Sequence, residues 1–229
     1  MVARIAVAPT KLPRAAIEYP ESDGRPMAET DWHADALIYL REALRDFFRN
    51  TPLAYVAGNL LMYYSEGDPT SSVAPDVFVV LGVPAHERRV YKVWEEGQAP
   101  DVVIELTSKA TRQTDLWFKR GLYQDLGVRE YFVFDPLHEY LTPVLQGYQL
   151  EADSYVRMSG TGQALPCLKS KVLGLELRVE PAGERLRLRL YDPARGEALL
   201  SPLEAPAARR VAEEQVTRLR AELARLREE

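Results

Sequence analysis

Two stretches of the 229-residue chain set charge among apolar residues in a way that can support chemistry. In Val102-Val103-Ile104-Glu105-Leu106 a carboxylate interrupts an apolar run short enough to be a buried strand. An unpaired carboxylate in an apolar core is costly, so Glu105 needs a cation, a metal ion or a raised pKa. Downstream, Thr111 to Leu126 reads as a helix closed by Gly127. At about 100° per residue, Asp115 and Lys119 lie about 40° apart, inside the arc of Leu116, Phe118, Leu122, Tyr123 and Leu126. On a solvated face an i, i+4 Asp–Lys pair is commonplace. On the packing face it needs a partner beneath it, and the natural one is the end of the preceding strand, with Glu105, Thr107 and Ser108.

Asp76 precedes another apolar run, Val77 to Leu81, and Asp101 precedes the run that holds Glu105. For Asp76 and Asp101 a bond to loop backbone is a sufficient structural explanation. Two carboxylates and a lysine near strand ends also have a chemical use. Mg²⁺ prefers oxygen and takes one or two carboxylates plus substrate phosphate oxygens. It acidifies a bound water and neutralises charge on the phosphate, and a nearby lysine orients or helps deprotonate that water.

Composition narrows the setting. The chain has 23 Arg but 6 Lys, so each lysine is informative, and Lys109 and Lys119 fall in this one region. Net charge is −5, which excludes a uniformly basic nucleic-acid coat but not a local basic groove. Hydrophobic residues make up 46% and charged residues 28%, values typical of a globular chain. The single cysteine, Cys167, excludes a disulfide framework and gives no support to a thiolate zinc site. No signal-peptide core or run of about 18 apolar residues is visible, so no membrane role and a cytoplasmic location are expected.

The elements follow from periodicity. Residues 1–28, rich in Pro and turn formers, read as an irregular lead-in. Thr30 and Asp31 offer caps to a helix over about residues 32–49, with Leu37, Leu40, Leu44 and Phe47 as its stripe. Tyr55 to Tyr64 reads as a strand, as do Val77 to Leu81, Val90 to Trp94, Val102 to Leu106 and Tyr131 to Phe134. Buried runs joined by a helix suggest a strand–helix–strand unit in a mixed sheet. Leu186, Leu188 and Leu190 alternate with Arg185, Arg187 and Arg189, as in a half-exposed strand. The last segment, 203–229, is a charged helix in which Ala212, Val216, Leu219, Leu223 and Leu226 form a two-heptad seam. That seam suits either pairing with a second chain or folding back on its own domain.

The stretches "SVAPDVFVV" at 72–80 and "PDVVIELTSKATRQTDLWFKRGLYQDLGVREYFVFDP" at 100–136 carry a resemblance. "DGRPMAETDWHADALIYLREAL" at 23–44 and "SKVLGLELRV" at 170–179 extend it. Over roughly residues 20–195 the chain resembles the Uma family of restriction endonucleases, within the PD-(D/E)XK nuclease-like superfamily. The resemblance implies an α+β, restriction-endonuclease-like domain over 29–202. Its mixed central sheet would be flanked by helices, with extra β-hairpins and the C-terminal helix.

It also implies roles. Asp76 matches the aspartate of the "PD" element and Glu105 the acid of the next core strand. The superfamily's lysine two residues after that acid is absent, because Thr107 stands there. Lys119 in "DLWFK" matches the family's helix-borne lysine, with Lys109 as the fallback. The expected enzyme is a Mg²⁺- or Mn²⁺-dependent DNA endonuclease in which Asp76, Glu105 and the Leu106 carbonyl hold the metal. Lys119 would position water, Asp115 would orient Lys119, and Ser108 would support the strand end. Glu29 and His33 are candidates for a further ligand or contact. A homodimer aided by the tail would suit cleavage of both strands. The rival is a catalytically inactive nuclease-fold protein that binds nucleic acid or a partner protein. Thr107 favours it, as do the eight basic and eight acidic residues of 85–130. A carboxylate glycosidase fits less well, since it leaves Lys119 without a role.

Overall fold

A computed structural model describes residues 17–22, 30–108, 111–161 and 165–228. In chain order the elements are α1 (Asp31–Phe47), β1 (Ala54–Ala57), β2 (Met62–Tyr63), β3 (Ser72–Val73), β4 (Val77–Leu81), β5 (Tyr91–Lys92) and α2 (Val93–Glu96). After β6 (Val102–Leu106), a π-helical turn (Thr114–Lys119) runs into α3 (Arg120–Asp125). Then come β7 (Glu130–Phe134), β8 (Leu145–Glu151), β9 (Ser154–Arg157), β10 (Cys167–Lys169), β11 (Glu176–Ala182), β12 (Arg185–Asp192), β13 (Glu197–Ala198) and α4 (Ala205–Glu228).

The central sheet has the order β1-β4-β6-β7-β8-β9. It is mixed, with β6 and β7 parallel and its other pairs antiparallel. The parallel pair is joined through the π turn and α3, which is the expected strand–helix–strand unit. β10 to β13 form a four-stranded antiparallel sheet and β3-β2-β5 a small third one. The domain is therefore α+β, with mixed sheets flanked by helices.

Alternation along the central strands divides the core in two. Val77, Val79, Val102, Ile104, Leu106, Phe132 and Phe134 point to one side, where Leu37, Leu40 and Leu44 of α1 and the leucines of β11 and β12 cover them. Phe78, Val80, Val103, Tyr131 and Val133 point to the other, where Tyr55, Tyr91, Tyr123 and Tyr148 complete a ring-rich layer. α1 begins where the cap predicts: the Thr30 side chain accepts from the His33 N–H.

Several expectations change. Tyr55 to Tyr64 is two strands in different sheets, broken at Gly58-Asn59, where Asn59 takes a φ of 52°. A Cβ on Gly58 would lie 2.9 Å from the Asp76 carbonyl oxygen, so glycine permits this close approach. Val90 to Trp94 is a two-residue strand followed by a helical turn. Phe118 lies outside the packing face, because the π turn departs from the 100° spacing on which that face was drawn. Arg189 is buried rather than exposed: its guanidinium pairs with Glu204 at 2.8 Å and lies over the Tyr39 ring. α4 is exposed at nearly every position whose burial is described, Val216, Leu219 and Leu226 of the seam included.

Candidate active site at the ends of two strands

The antiparallel register of β4 and β6 pairs Val77 with Ile104, which brings Asp76 opposite Glu105. The Asp76 N–H lies 3.4 Å from Glu105 Oε2. Asp76 Oδ2 accepts from the Leu106 N–H at 2.7 Å, and Oδ1 lies 3.4 Å from His33 Nε2, carried by α1. Asp76 therefore bridges three elements. Asp101, by contrast, accepts from the Leu81 N–H at 2.6 Å, the plain loop role open to it from sequence.

Glu105 is fully buried, on the tyrosine side of the sheet. Lys119 Nζ donates to Glu105 Oε2 at 2.9 Å and lies 3.2 Å from Asp115 Oδ1. The second contact has ion-pair distance without good hydrogen-bond geometry, and neither carboxylate oxygen of Asp115 receives a hydrogen bond among the described residues. The Tyr123 hydroxyl donates to Glu105 Oε1 at 2.8 Å, so both Glu105 oxygens are occupied by donors of this chain. The Tyr131 hydroxyl donates to the Asp115 carbonyl at 2.9 Å and pins the π turn against β7.

The electrostatics follow from this crowding. Burial pushes Glu105 well above the usual carboxylate range; Lys119 opposes the rise, while Asp76 and Asp115 add to it. Burial also works to raise Asp76, but the His33 contact, Lys119 and the Leu106 N–H outweigh it and hold that carboxyl low. For Lys119, burial favours the neutral amine, and Glu105, Asp115 and Asp76 overcome this and keep the ammonium charged. Tyr123 is raised by burial and by Glu105, so its hydroxyl stays protonated and able to donate.

Asp76, Glu105, Asp115, Lys119 and His33 thus stand together. Ser108 does not join them: its hydroxyl lies 3.2 Å from Thr111 Oγ1 and its N–H donates to the same oxygen, which shapes the start of the following helix. Thr107, in the position of the superfamily lysine, is buried with its hydroxyl unpaired among the described residues. Glu29 and Lys109 lie outside the described residues. Tyr123 is the participant that sequence reading missed. Its signal was the wheel position beside Asp115 and Lys119, where a tyrosine passes for ordinary core.

Among the described residues, no group of three or more His, Cys, Asp or Glu is arranged to hold a metal ion. Three carboxyl groups cluster around one ammonium, so a divalent cation would favour their ionised forms. That donor set fits a hard cation on one or two carboxylates completed by water and phosphate oxygens. It does not fit an ion ligated wholly by the protein.

No helix among the described residues is long and apolar enough to cross a membrane. No curated protein matches the chain. Among solved structures it is similar to "a putative nuclease belonging to DUF820 from Anabaena variabilis ATCC 29413", at 16% identity and a TM-score of 0.42, over 62% of this chain and 79% of that one. The family model described as "Putative restriction endonuclease" matches residues 9–180, well over half of the sequence. By that match the chain belongs to the Uma2 family, whose restriction-endonuclease description agrees with a carboxylate–lysine cluster at the strand ends.

Proposed function

We propose that the protein is a Mg²⁺- or Mn²⁺-dependent DNA endonuclease acting in the cytoplasm. The observation that carries this reading is Lys119: an ammonium 14% exposed, on Glu105 at 2.9 Å and beside Asp115, one strand away from Asp76. Asp76 and Glu105 would hold the metal, with the Leu106 carbonyl as a further oxygen. When bound, the metal supplies Lewis-acid stabilisation of the phosphate and a more acidic water. The Leu106 N–H fixes the orientation of Asp76, and Tyr123 fixes that of Glu105. Lys119, kept charged by its neighbours, acts as a donor that orients water and phosphate rather than as a base. Asp115 holds Lys119 in that place.

Calorimetric titration with Mg²⁺ or Mn²⁺ tests the reading. Binding by the wild type, weakened at least tenfold in Asp76→Asn, supports it; no binding, or binding indifferent to that substitution, overturns it. Thr107 favours a second reading, a nuclease-fold binding module without catalysis. In that case Lys119 serves as the permanent counter-charge of a buried Glu105. Tight DNA binding with no metal uptake and no cleavage is its expected signature.

Two copies joined through α4 would place two such sites on the two strands of a duplex. The apolar positions Val216 and Leu219 of the seam are half-exposed among the described residues, which supports this assembly.

A further inference from the structure

The π turn has two sides of opposite character. Inward, Asp115 is buried and Lys119 reaches Glu105. Outward, between those two residues in sequence, Trp117 is 70% and Phe118 57% exposed. Adjacent large aromatics in water are unusual for a surface without a partner. Their neighbours are cationic. The Arg120 guanidinium lies 5.2 Å from the Trp117 ring and 5.2 Å from the Tyr148 ring, and exposed Arg112 stands about two turns earlier. The only acid from 112 to 120 is the buried Asp115. Within residues 112–120 the outer side therefore offers aromatic faces and guanidinium groups and no exposed carboxylate, while exposed Glu139 stands by the Tyr140 ring over which Arg112 lies.

This combination suits nucleic acid better than protein or lipid. Every base has a π face, so aromatic stacking tolerates any sequence, and guanidinium groups take the flanking phosphates. Aromatic wedges also enter between base steps and unstack them. Resting on the nuclease reading above, we infer that Trp117 and Phe118 are the base-contacting element of the DNA site. They stack on bases beside the phosphate presented to Glu105 and Lys119. Arg112 and Arg120 hold the phosphates on either side. The turn thus couples recognition to the cluster, since the residues that face the bases and the lysine that faces Glu105 are consecutive.

The test uses the full chain and fluorescein-labelled DNA, single-stranded and duplex, with Ca²⁺ in place of Mg²⁺ to prevent cleavage. Affinity is read by anisotropy and Trp emission is followed in parallel. The variants are Trp117→Ala/Phe118→Ala and Trp117→Phe, each with its urea midpoint as a check on folding. The double variant should bind on the order of tenfold or more weakly. Trp117→Phe should retain most of the affinity but lose DNA-induced quenching. Unchanged affinity in the double variant, with the wild type binding DNA, overturns the inference and leaves the nuclease reading standing. A wild type that binds neither DNA sinks both. A drop in molecular mass in the double variant, with DNA affinity unchanged, would assign the face to a second copy and also overturn it.

Discussion

On one side of the central sheet, Val102, Ile104 and Leu106 of β6 pack against the leucines of α1 and of the second sheet. On the other, Val103 and Glu105 of the same strand face Tyr123, Tyr131 and their neighbours. Beside β6 the aliphatic layer presents only hydrocarbon; on that side Glu130, at the start of β7, is buried where the Ser170 hydroxyl and the Lys171 and Val172 N–H groups reach it. The tyrosine layer supplies a hydroxyl to each of two partners, Glu105 and the Asp115 carbonyl, and Lys119 completes it. The difference teaches why the acid sits where it does. A buried carboxylate is carried where donors reach it: Tyr123 and Lys119 for Glu105 on one face, Ser170 and two loop N–H groups for Glu130 on the other.

The largest effect should come from removing the charge that balances the tyrosine side. Lys119→Met leaves Glu105 and Asp115 buried without a cation, and urea unfolding should show a loss of about 3–5 kcal/mol. A midpoint within error of the wild type would mean that Glu105 folds protonated and needs no lysine. Across the sheet, Ile104→Ala removes packing alone. It should lose about 2–5 kcal/mol, with the affinity for Mn²⁺ in the folded protein unchanged. A parallel fall in metal affinity would show that the two layers are not separable. Tyr123→Phe keeps the ring and removes one donor, for about 1–3 kcal/mol in the same urea assay. Ending the chain at Ala208 keeps Glu204 on Arg189 and touches neither face. Its thermal midpoint should match the full chain, while sedimentation should show half the mass if α4 joins two copies.

Part of this layout is legible in the primary structure. Glu105 and the Asp115–Lys119 pair stand out because charge inside an apolar pattern needs a physical reason. Asp76 does not stand out in the same way. A loop bond explains it equally well, and its true place depends on β4 and β6 pairing 29 residues apart in sequence. Gly58-Asn59 held a turn signal inside the aromatic run, yet continuous hydrophobicity across Tyr55 to Tyr64 concealed the break. The regular wheel identified Lys119 but misplaced Phe118, since a π turn leaves no composition cue of its own. Arg189 reads as solvated until Glu204 and Tyr39 are brought beside it by the tertiary fold.

The central claim is that Asp76, Glu105 and Lys119 form a metal-dependent phosphodiesterase site. Conversion of supercoiled plasmid to nicked and linear forms, with Mg²⁺ and with EDTA, tests it most directly. The wild type should cleave only with metal. Asp76→Asn, Glu105→Gln and Lys119→Ala, each confirmed folded by circular dichroism, should be slower on the order of 100-fold or more. Cleavage by folded Glu105→Gln and Lys119→Ala at the wild-type rate, or no cleavage by the wild type on any plasmid with either metal, would contradict the account.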